Sequence, residues 1–416
     1  MKSVCFVVQN VYDSDPRVRR KAEALVAAGY SVDVLALRPS RSGQGKVKKR
    51  YSLNGVNVYT IPLDKKRGSQ GRYLFEYIVF FFSAFFRTPL LMLRRRYAMI
   101  DVNSLPDILI LAPVVARWMG AKLVLDMHEI TPEFYMSKYH VEESSWTVSL
   151  LKFLEKISFS FADHVITINE PCRDLFAGRG LPHSRSTVIM NTVDEGRFTS
   201  WRSPAAPCPR HGESFIILYH GTLSRIYGLD IAIEAFALAH QEMPGAELWI
   251  VGPGPEKGQL TDLAQARGLS SKVKLYGWVP SAEIPAWLGQ CDIGILPIRQ
   301  DAFLDLAFPN KLSEYIVMGK AVIVSRLKAI QHYFTEDALA FCQPNDPVDL
   351  SRQMVRLYRD PQLRARLALR ATKELAPIRW DVMKQRYLTL IDNLIGTTGR
   401  RATDKSGMAH TTAVAQ

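Results

Sequence analysis

AFPNKLSEYIVMGKAVIVS, residues 307–325, sets out a helix start at Pro309, a stop at Gly319 and then a β-branched run, Val322 to Val324, with the composition of a buried strand. A helix that opens on Pro309, Asn310 and Lys311 leaves backbone N–H groups unpaired at its first turn, adds the positive end of the helix dipole, and places a cation beside both. Such an end suits a phosphate. Glu314 follows about one turn later on the same side, where a carboxylate can accept hydrogen bonds from sugar hydroxyls. One helix is therefore set to hold a diphosphate and a ribose together. The competing reading is an ordinary amphipathic helix feeding a core strand.

Outward from this stretch the chain alternates strand and helix. Upstream, strands are expected at Phe215–Tyr219, Glu247–Val251, Val273–Tyr276 and Asp292–Leu296, and downstream at Ala321–Ser325 and Ala338–Phe341. Residues 1–195 repeat the pattern, with strands at Val4–Val8, Ser31–Leu35, Val56–Ile61, Met99–Val102, Lys122–Leu125 and His164–Ile168, and a helix from Pro16 to Ala28 ended by Gly29. Alternation of this kind implies parallel sheets covered on both faces, so the fold class is α/β with two Rossmann-like domains. No GxGxxG follows the first strand, which removes the dinucleotide fingerprint. The expected division is a first domain over 1–195, a Pro- and Ser-rich linker over 196–213, a second domain over 214–380, a closing helix over 381–395 that returns to the first domain, and a disordered polar tail over 397–416.

The loops carry the chemistry. After the first strand comes QNVYDSDPRVRRKAEAL, residues 9–25; Arg17 there either faces an anionic ligand in the cleft or pairs with Asp13 or Asp15. DMHEITPEFY, residues 126–135, places His128 and Glu129 at the carboxyl end of a strand, where open α/β sheets bind ligands. A purely structural histidine is the alternative, and no second histidine stands at metal-ligand spacing. VIMNTVDEGRF (188–198), YHGTLSRIYGLDIAIEAF (219–236), IVGPGPEKGQL (250–260) and YGWVPSAEIPAWLGQCDIGILP (276–297) complete the set.

In this order over most of the chain, these stretches resemble the family 4 glycosyltransferases, retaining enzymes of the GT-B fold, and PNKLSEY resembles their P-N-K subgroup in bacterial polysaccharide and glycolipid synthesis. The resemblance implies a donor site in the second domain and an acceptor site in the first. It implies that Glu314 binds the donor ribose, that the helix start at Pro309, Asn310 and Lys311 faces the diphosphate, and that Gly221 with Thr222, and Gly252, allow backbone to approach the donor. Trp278 and Val279 then flank the nucleobase. His128 contacts the donor sugar and Glu129 stands beside it, so His128 and Glu314 are the catalytic candidates and Asp15, Arg17 and Glu129 the acceptor or cleft candidates.

Three departures from the family pattern stand out. Tyr227 occupies the usual diphosphate-binding lysine position, leaving Arg225 as the cation in that loop. Leu306 occupies the position of a first glutamate, with Asp301 and Asp305 nearby. Met190 and Thr192 replace a proline and a glycine at the domain junction. The resemblance implies a UDP- or GDP-linked sugar donor, a lipid-linked or glycan acceptor, and no cofactor or metal for the chemistry. Two other classes stay open: a nucleotide-sugar epimerase of the same fold, and a non-catalytic scaffold of a polysaccharide assembly.

At 416 residues the chain is long for one core, and 47% hydrophobic with 22% charged residues is a globular composition. Five scattered cysteines without a CxxC pair indicate neither a disulfide framework nor a zinc site. The net charge of +13 is concentrated early: residues 1–110 hold 19 lysines and arginines against 8 aspartates and glutamates. Between the basic clusters lies RYLFEYIVFFFSAFFRTPLLML, residues 72–93. Its uninterrupted apolar run is roughly ten residues, short of the ~20 that span a bilayer. The segment 72–96 is thus expected either to lie on an anionic membrane or to form a core helix. That company favours a membrane over nucleic acid as the partner of the basic surface, with the protein cytoplasmic and peripheral on the inner face of the cell membrane.

Overall fold

The computed structural model describes residues 2–39, 49–63, 70–104, 106–193, 195–199 and 214–396. Most of the linker and the whole of the tail read from the sequence, 200–213 and 397–416, lie outside these residues, while Gly196–Thr199 at the linker's start is helical.

The first domain runs β1 (Ser3–Val11), α1 (Pro16–Ala27), β2 (Ser31–Leu37), β3 (Arg50–Leu53), β4 (Val56–Ile61), α2 (Gln70–Arg94), β5 (Tyr97–Asn103), α3 (Val114–Trp118), β6 (Lys122–Asp126), α4 (Thr131–Tyr139), α5 (Trp146–Phe161), β7 (His164–Thr167), α6 (Glu170–Gly178) and β8 (Ser186–Val188). These strands form a sheet in the order β3-β4-β2-β1-β5-β6-β7-β8. All neighbours are parallel except β3 and β4, a hairpin turned by Asn54 and Gly55, both at positive φ. That Asn-Gly pair is a strong hairpin signal, and it supplies the strand β3 that alternation alone does not reveal.

After α7 (Gly196–Thr199), the second domain runs β9 (Phe215–His220), α8 (Leu229–Ala239), β10 (Ala246–Val251), α9 (Lys257–Ala266), β11 (Val273–Tyr276), α10 (Ile284–Gln290), β12 (Ile293–Leu296), α11 (Asn310–Val317), β13 (Ala321–Ser325), α12 (Lys328–Gln331), β14 (Ala340–Cys342), α13 (Pro347–Arg359) and α14 (Pro361–Leu375). Its parallel sheet has the order β11-β10-β9-β12-β13-β14. In both sheets the strand order reverses beside the domain's first strand, β1 or β9. Each domain therefore opens a crevice at the carboxyl ends of those strands, and the two crevices supply the facing walls of the cleft described below.

Strand alternation divides the first core. Val4, Phe6 and Val8 point to the face covered by α1, and Cys5 and Val7 to the face covered by α2 and α3, with all five buried. The final helix, α15 (Trp380–Ile395), leaves the second domain and packs on α1. It is tied there by Lys2 Nζ donating to Ile395 O at 2.7 Å and by Tyr30 Oη donating to Asp392. Loop contacts join the domains on the other side: Asn169 Nδ2 donates to Leu306 O at 2.8 Å, and Phe134 meets Phe303 edge to face.

Helix α2 departs from expectation. It is one unbroken helix through Glu76, Arg87 and Pro89, and its Leu74–Arg94 portion is long and apolar enough to cross a membrane by length and composition. One side nevertheless lies on the sheet, with Phe80, Ala84, Thr88 and Met92 buried. The opposite side exposes Phe75, Ile78, Phe82, Phe86, Leu90 and Leu93 in a stripe along its length. It is neither a fully buried core helix nor free of the domain.

Candidate functional site

The two crevices enclose a cavity of about 850 Å³. Its second-domain wall is made by Gly221, Thr222, Gly252, Trp278 and Val279, and by Asn310, Lys311 and Glu314 at the start of α11. Two glycines make that wall possible. A Cβ on Gly252 would fall 1.9 Å from Gly221 O, and one on Gly221 would fall 2.0 Å from Lys311 Cε; both residues have positive φ. The β9 and β10 loops touch backbone to backbone, and the lysine stem threads past Gly221.

Helix α11 starts at Asn310, one residue after the expected proline. Pro309 is its N-cap, and no side chain caps the turn. Asn310 and Lys311 line the cavity at this turn, their N–H groups being the two without an intrahelical acceptor, while the Leu312 N–H donates to Pro309 O at 3.0 Å. The Lys311 ammonium lies 3.7 Å from the ring centre of Tyr227 and 5.3 Å from that of Tyr219. Among the described residues it has no hydrogen-bond acceptor and no ion-pair partner; burial lowers its pKa to about 8, with Glu314 drawing it partly back. A cation left in this state on a cavity wall is complementary to an anion. Tyr227, at the usual lysine position, is the platform on which Lys311 rests. Arg225, by contrast, is exposed and lies off the wall; its carbonyl accepts from Arg299 Nε.

Glu314 is partly buried, its side chain 25% exposed, and His220 Nε2 approaches its Oε2 to 3.3 Å without the alignment of a full hydrogen bond. Burial, assisted by Lys311, lowers the His220 pKa to about 3, so this histidine is neutral. Sequence reasoning missed His220; its signal was its place directly before Gly221. The positions near the absent first glutamate are spoken for elsewhere. Asp301 accepts from Ser137 and from the Phe303 and Leu304 N–H groups, and Asp305 accepts from Gln300 and Lys328 N. Both fasten their own loop, and Asp301 ties that loop to α4.

On the first-domain wall stand Arg19, Arg20, Asn191 and Thr192. The sequence reading singled out Arg17, but helical geometry turns it away from the wall. Its Nη2 donates to Asp126 Oδ1 at 2.6 Å and to Met127 O at 3.2 Å, so it pairs with neither Asp13 nor Asp15. Asp15 is likewise a structural residue: buried, it caps α1 by accepting from Val18 N and Asn10 Nδ2. Arg20 reaches Asn191 and Thr192 O and lies over the Trp380 ring.

His128 and Glu129 lie at the end of β6, beside the cavity rather than on its wall. His128 Nε2 is 3.0 Å from Asn103 Oδ1 and 3.4 Å from Asp126 Oδ2, both acceptors. The proton therefore sits on Nε2, leaving Nδ1 as the acceptor. Burial, and then Arg17, lower the His128 pKa. Burial raises Glu129 to about 7, against the pull of Arg17, and Glu129 adds to the raised pKa of Tyr227 in the other domain. Among the described residues no three His, Cys, Asp or Glu side chains group as metal ligands.

The glycine geometry yields a prediction. Gly221→Ala forces the Lys311 stem aside and strains a left-handed position, so kcat/KM for the donor is expected to fall tenfold or more. Steady-state kinetics across donor concentrations check it.

Two family models match the chain: "Glycosyl transferase 4-like domain" over residues 14–192 and "Glycosyl transferases group 1" over residues 214–360. The chain is 24% identical over 306 residues to the probable glycosyltransferase WbjE of Pseudomonas aeruginosa, covering 69% of this chain and 72% of that protein. It is 28% identical over 216 residues to the putative colanic acid biosynthesis glycosyltransferase WcaL of Escherichia coli K12, covering 50% of this chain and 49% of that one, about half of each. The fold is that of Alr3699/HepE of Anabaena, solved with UDP-glucose, at a TM-score of 0.66 and 16% identity, covering 94% of this chain and all of that one.

Proposed function

Because the chain belongs to the family 4 glycosyltransferases of the GT-B fold, we propose that it is a retaining enzyme moving a hexose-type sugar from a UDP- or GDP-linked donor onto a lipid-linked or glycan acceptor, in cell-surface polysaccharide or glycolipid synthesis. The observation that carries this reading is the Lys311 ammonium at the start of α11, resting on the Tyr227 ring with no acceptor or ion-pair partner among the described residues, and Glu314 one turn on. A departing nucleoside diphosphate gains negative charge as the anomeric C–O bond breaks; the Lys311 ammonium and the Asn310 and Lys311 N–H groups stabilise it. The acceptor hydroxyl attacks from the side the diphosphate leaves, and its proton passes to a diphosphate oxygen, so no protein nucleophile is required. His128, beside the cavity with its side chain still 18% exposed, keeps Nδ1 as an acceptor for a hydroxyl of the transferred sugar once the donor reaches past the wall. The WcaL likeness supports the polysaccharide context, and the HepE likeness supports a nucleotide-sugar donor.

The test is incubation with UDP- and GDP-sugars and a membrane lipid extract. Sugar appearing on lipid or glycan is the expected product; an altered nucleotide sugar without transfer, or donor binding without turnover, contradicts the proposal.

We place the acceptor at an anionic membrane on the cytoplasmic side because of the α2 stripe, which Arg72 and Arg94–Arg96 bracket. A helix with one side packed on its own sheet lies in the membrane surface rather than across it. Exposed Trp118 lies on α3, which packs against α2. Phe82→Asp with Phe86→Asp is expected to reduce partition onto anionic vesicles at least tenfold, leaving the melting temperature and transfer to a water-soluble acceptor unchanged. Undiminished vesicle binding in a flotation assay contradicts it.

A further inference from the structure

Beneath His128 runs a buried chain of charged and polar side chains that ends on α15. Tyr387 Oη donates to Asp101 Oδ2 at 2.9 Å, and the Lys21 ammonium lies 3.4 Å from that same oxygen. Lys21 also donates to Asp126 and, at 3.2 Å, to Asn103 Oδ1. Asp126 and Asn103 are the two acceptors that hold His128 Nε2. Lys21, Asp101, Asn103, Asp126 and Tyr387 are each no more than 1% exposed. Sheet register places the two acceptors side by side, Asn103 of β5 pairing with Asp126 of β6. Asn103 Nδ2 donates to Asp101 Oδ1, which turns its own oxygen toward Lys21 and His128.

Buried charges with this many mutual bonds have few alternative arrangements, because each unmade bond costs the desolvation of its group. One end of the chain fixes the tautomer and tilt of His128. The other end is supplied by a helix that follows the second domain in sequence and crosses to the first.

We propose that Tyr387 is a positioning residue for His128: its hydroxyl, carried by the returning helix, completes the buried chain that presents the histidine to the donor sugar. The proposal rests on the reading that His128 contacts the transferred sugar. A core tyrosine that merely fills space loses nothing in turnover when its hydroxyl is removed. A positioning residue loses kcat, and only while His128 is present.

The experiment is a double-mutant cycle on the full chain, with kcat and donor KM measured beside thermal unfolding. Tyr387→Phe is expected to lower kcat about tenfold with donor KM unchanged and the folded state retained. In a His128→Ala background the same change is expected to alter kcat less than twofold. Tyr30→Phe removes a different tie on the same helix and is expected to keep wild-type kcat. If Tyr387→Phe does not fold, Asp101→Ala removes the acceptor of the Tyr387 hydroxyl and is expected to lower kcat at least as much, again only while His128 is present. Equal losses in both backgrounds, wild-type kcat in Tyr387→Phe, or an equal loss in Tyr30→Phe overturns the proposal while His128→Ala remains impaired. Wild-type turnover in His128→Ala overturns the underlying reading itself.

Discussion

Lys311→Met is expected to lower kcat/KM for the donor a hundred- to a thousandfold, most of it in kcat. The substitution keeps the length and packing of the stem past Gly221 and over Tyr227, and removes only the charge. The leaving diphosphate is most negative at the transition state, so a fixed cation beside it acts more on kcat than on binding. The loss of one such group costs about 3–4 kcal/mol. Ordinary surface lysines give no such effect; this one is set apart by standing on a cavity wall over the Tyr227 ring with no hydrogen-bond acceptor or ion-pair partner among the described residues.

The depressed pKa gives the same prediction a pH signature. With Lys311 titrating near 8, kcat/KM for the donor is expected to fall as pH rises past that value, since the free enzyme must carry the charge to bind and stabilise the diphosphate. Lys311→Arg is expected to move that limb upward while retaining partial activity. A pH–rate profile whose alkaline limb stays in place in the arginine variant removes Lys311 from the role.

Glu314→Ala is expected to raise donor KM thirty- to a hundredfold. A carboxylate that accepts from two ribose hydroxyls makes charge-assisted bonds worth about 1.5–3 kcal/mol each, and those bonds are present in ground and transition state alike. Glu314 lies on the cavity wall with its side chain 25% exposed, so the melting temperature is expected to fall far less than donor affinity does. Deoxygenated donors separate the ribose role from a general loss of charge. A 2′-deoxy donor is expected to be a poor substrate for the wild type and to show a smaller further loss with Glu314→Ala. Equal losses for both donors contradict the assignment.

Much of the architecture was legible because its signals are local. Pro309, Gly319 and the run Val322–Val324 declare a helix, a stop and a strand without reference to the rest of the chain, and α11 and β13 stand there within a residue. Residues 307–325 also brought Asn310, Lys311 and Glu314 onto one wall, since helical spacing sets their relation. What the residues alone left open depends on long-range packing. Whether a cation on α1 meets the cleft is decided by which face the helix buries: Val18, Lys21 and Leu25 go inward, which puts Arg17 on Asp126 and sends Arg19 and Arg20 to the cavity. The pairing of Tyr227 with Lys311 joins residues 84 positions apart, and no spacing rule connects them. A missing lysine therefore read as a weakened diphosphate site, while in space Lys311 supplies the charge from a neighbouring element. For α2, composition showed an apolar segment between basic clusters, but only packing on the sheet reveals that the apolar character continues around to the solvent side.

The most direct measurement is a crystal structure of the full chain with a nucleoside diphosphate. It is expected to show the terminal phosphate at the first turn of α11, with the Lys311 ammonium within about 3 Å of a phosphate oxygen and Glu314 on the ribose. A diphosphate bound away from α11, or one at α11 that leaves Lys311 on the Tyr227 ring without contact, contradicts the account.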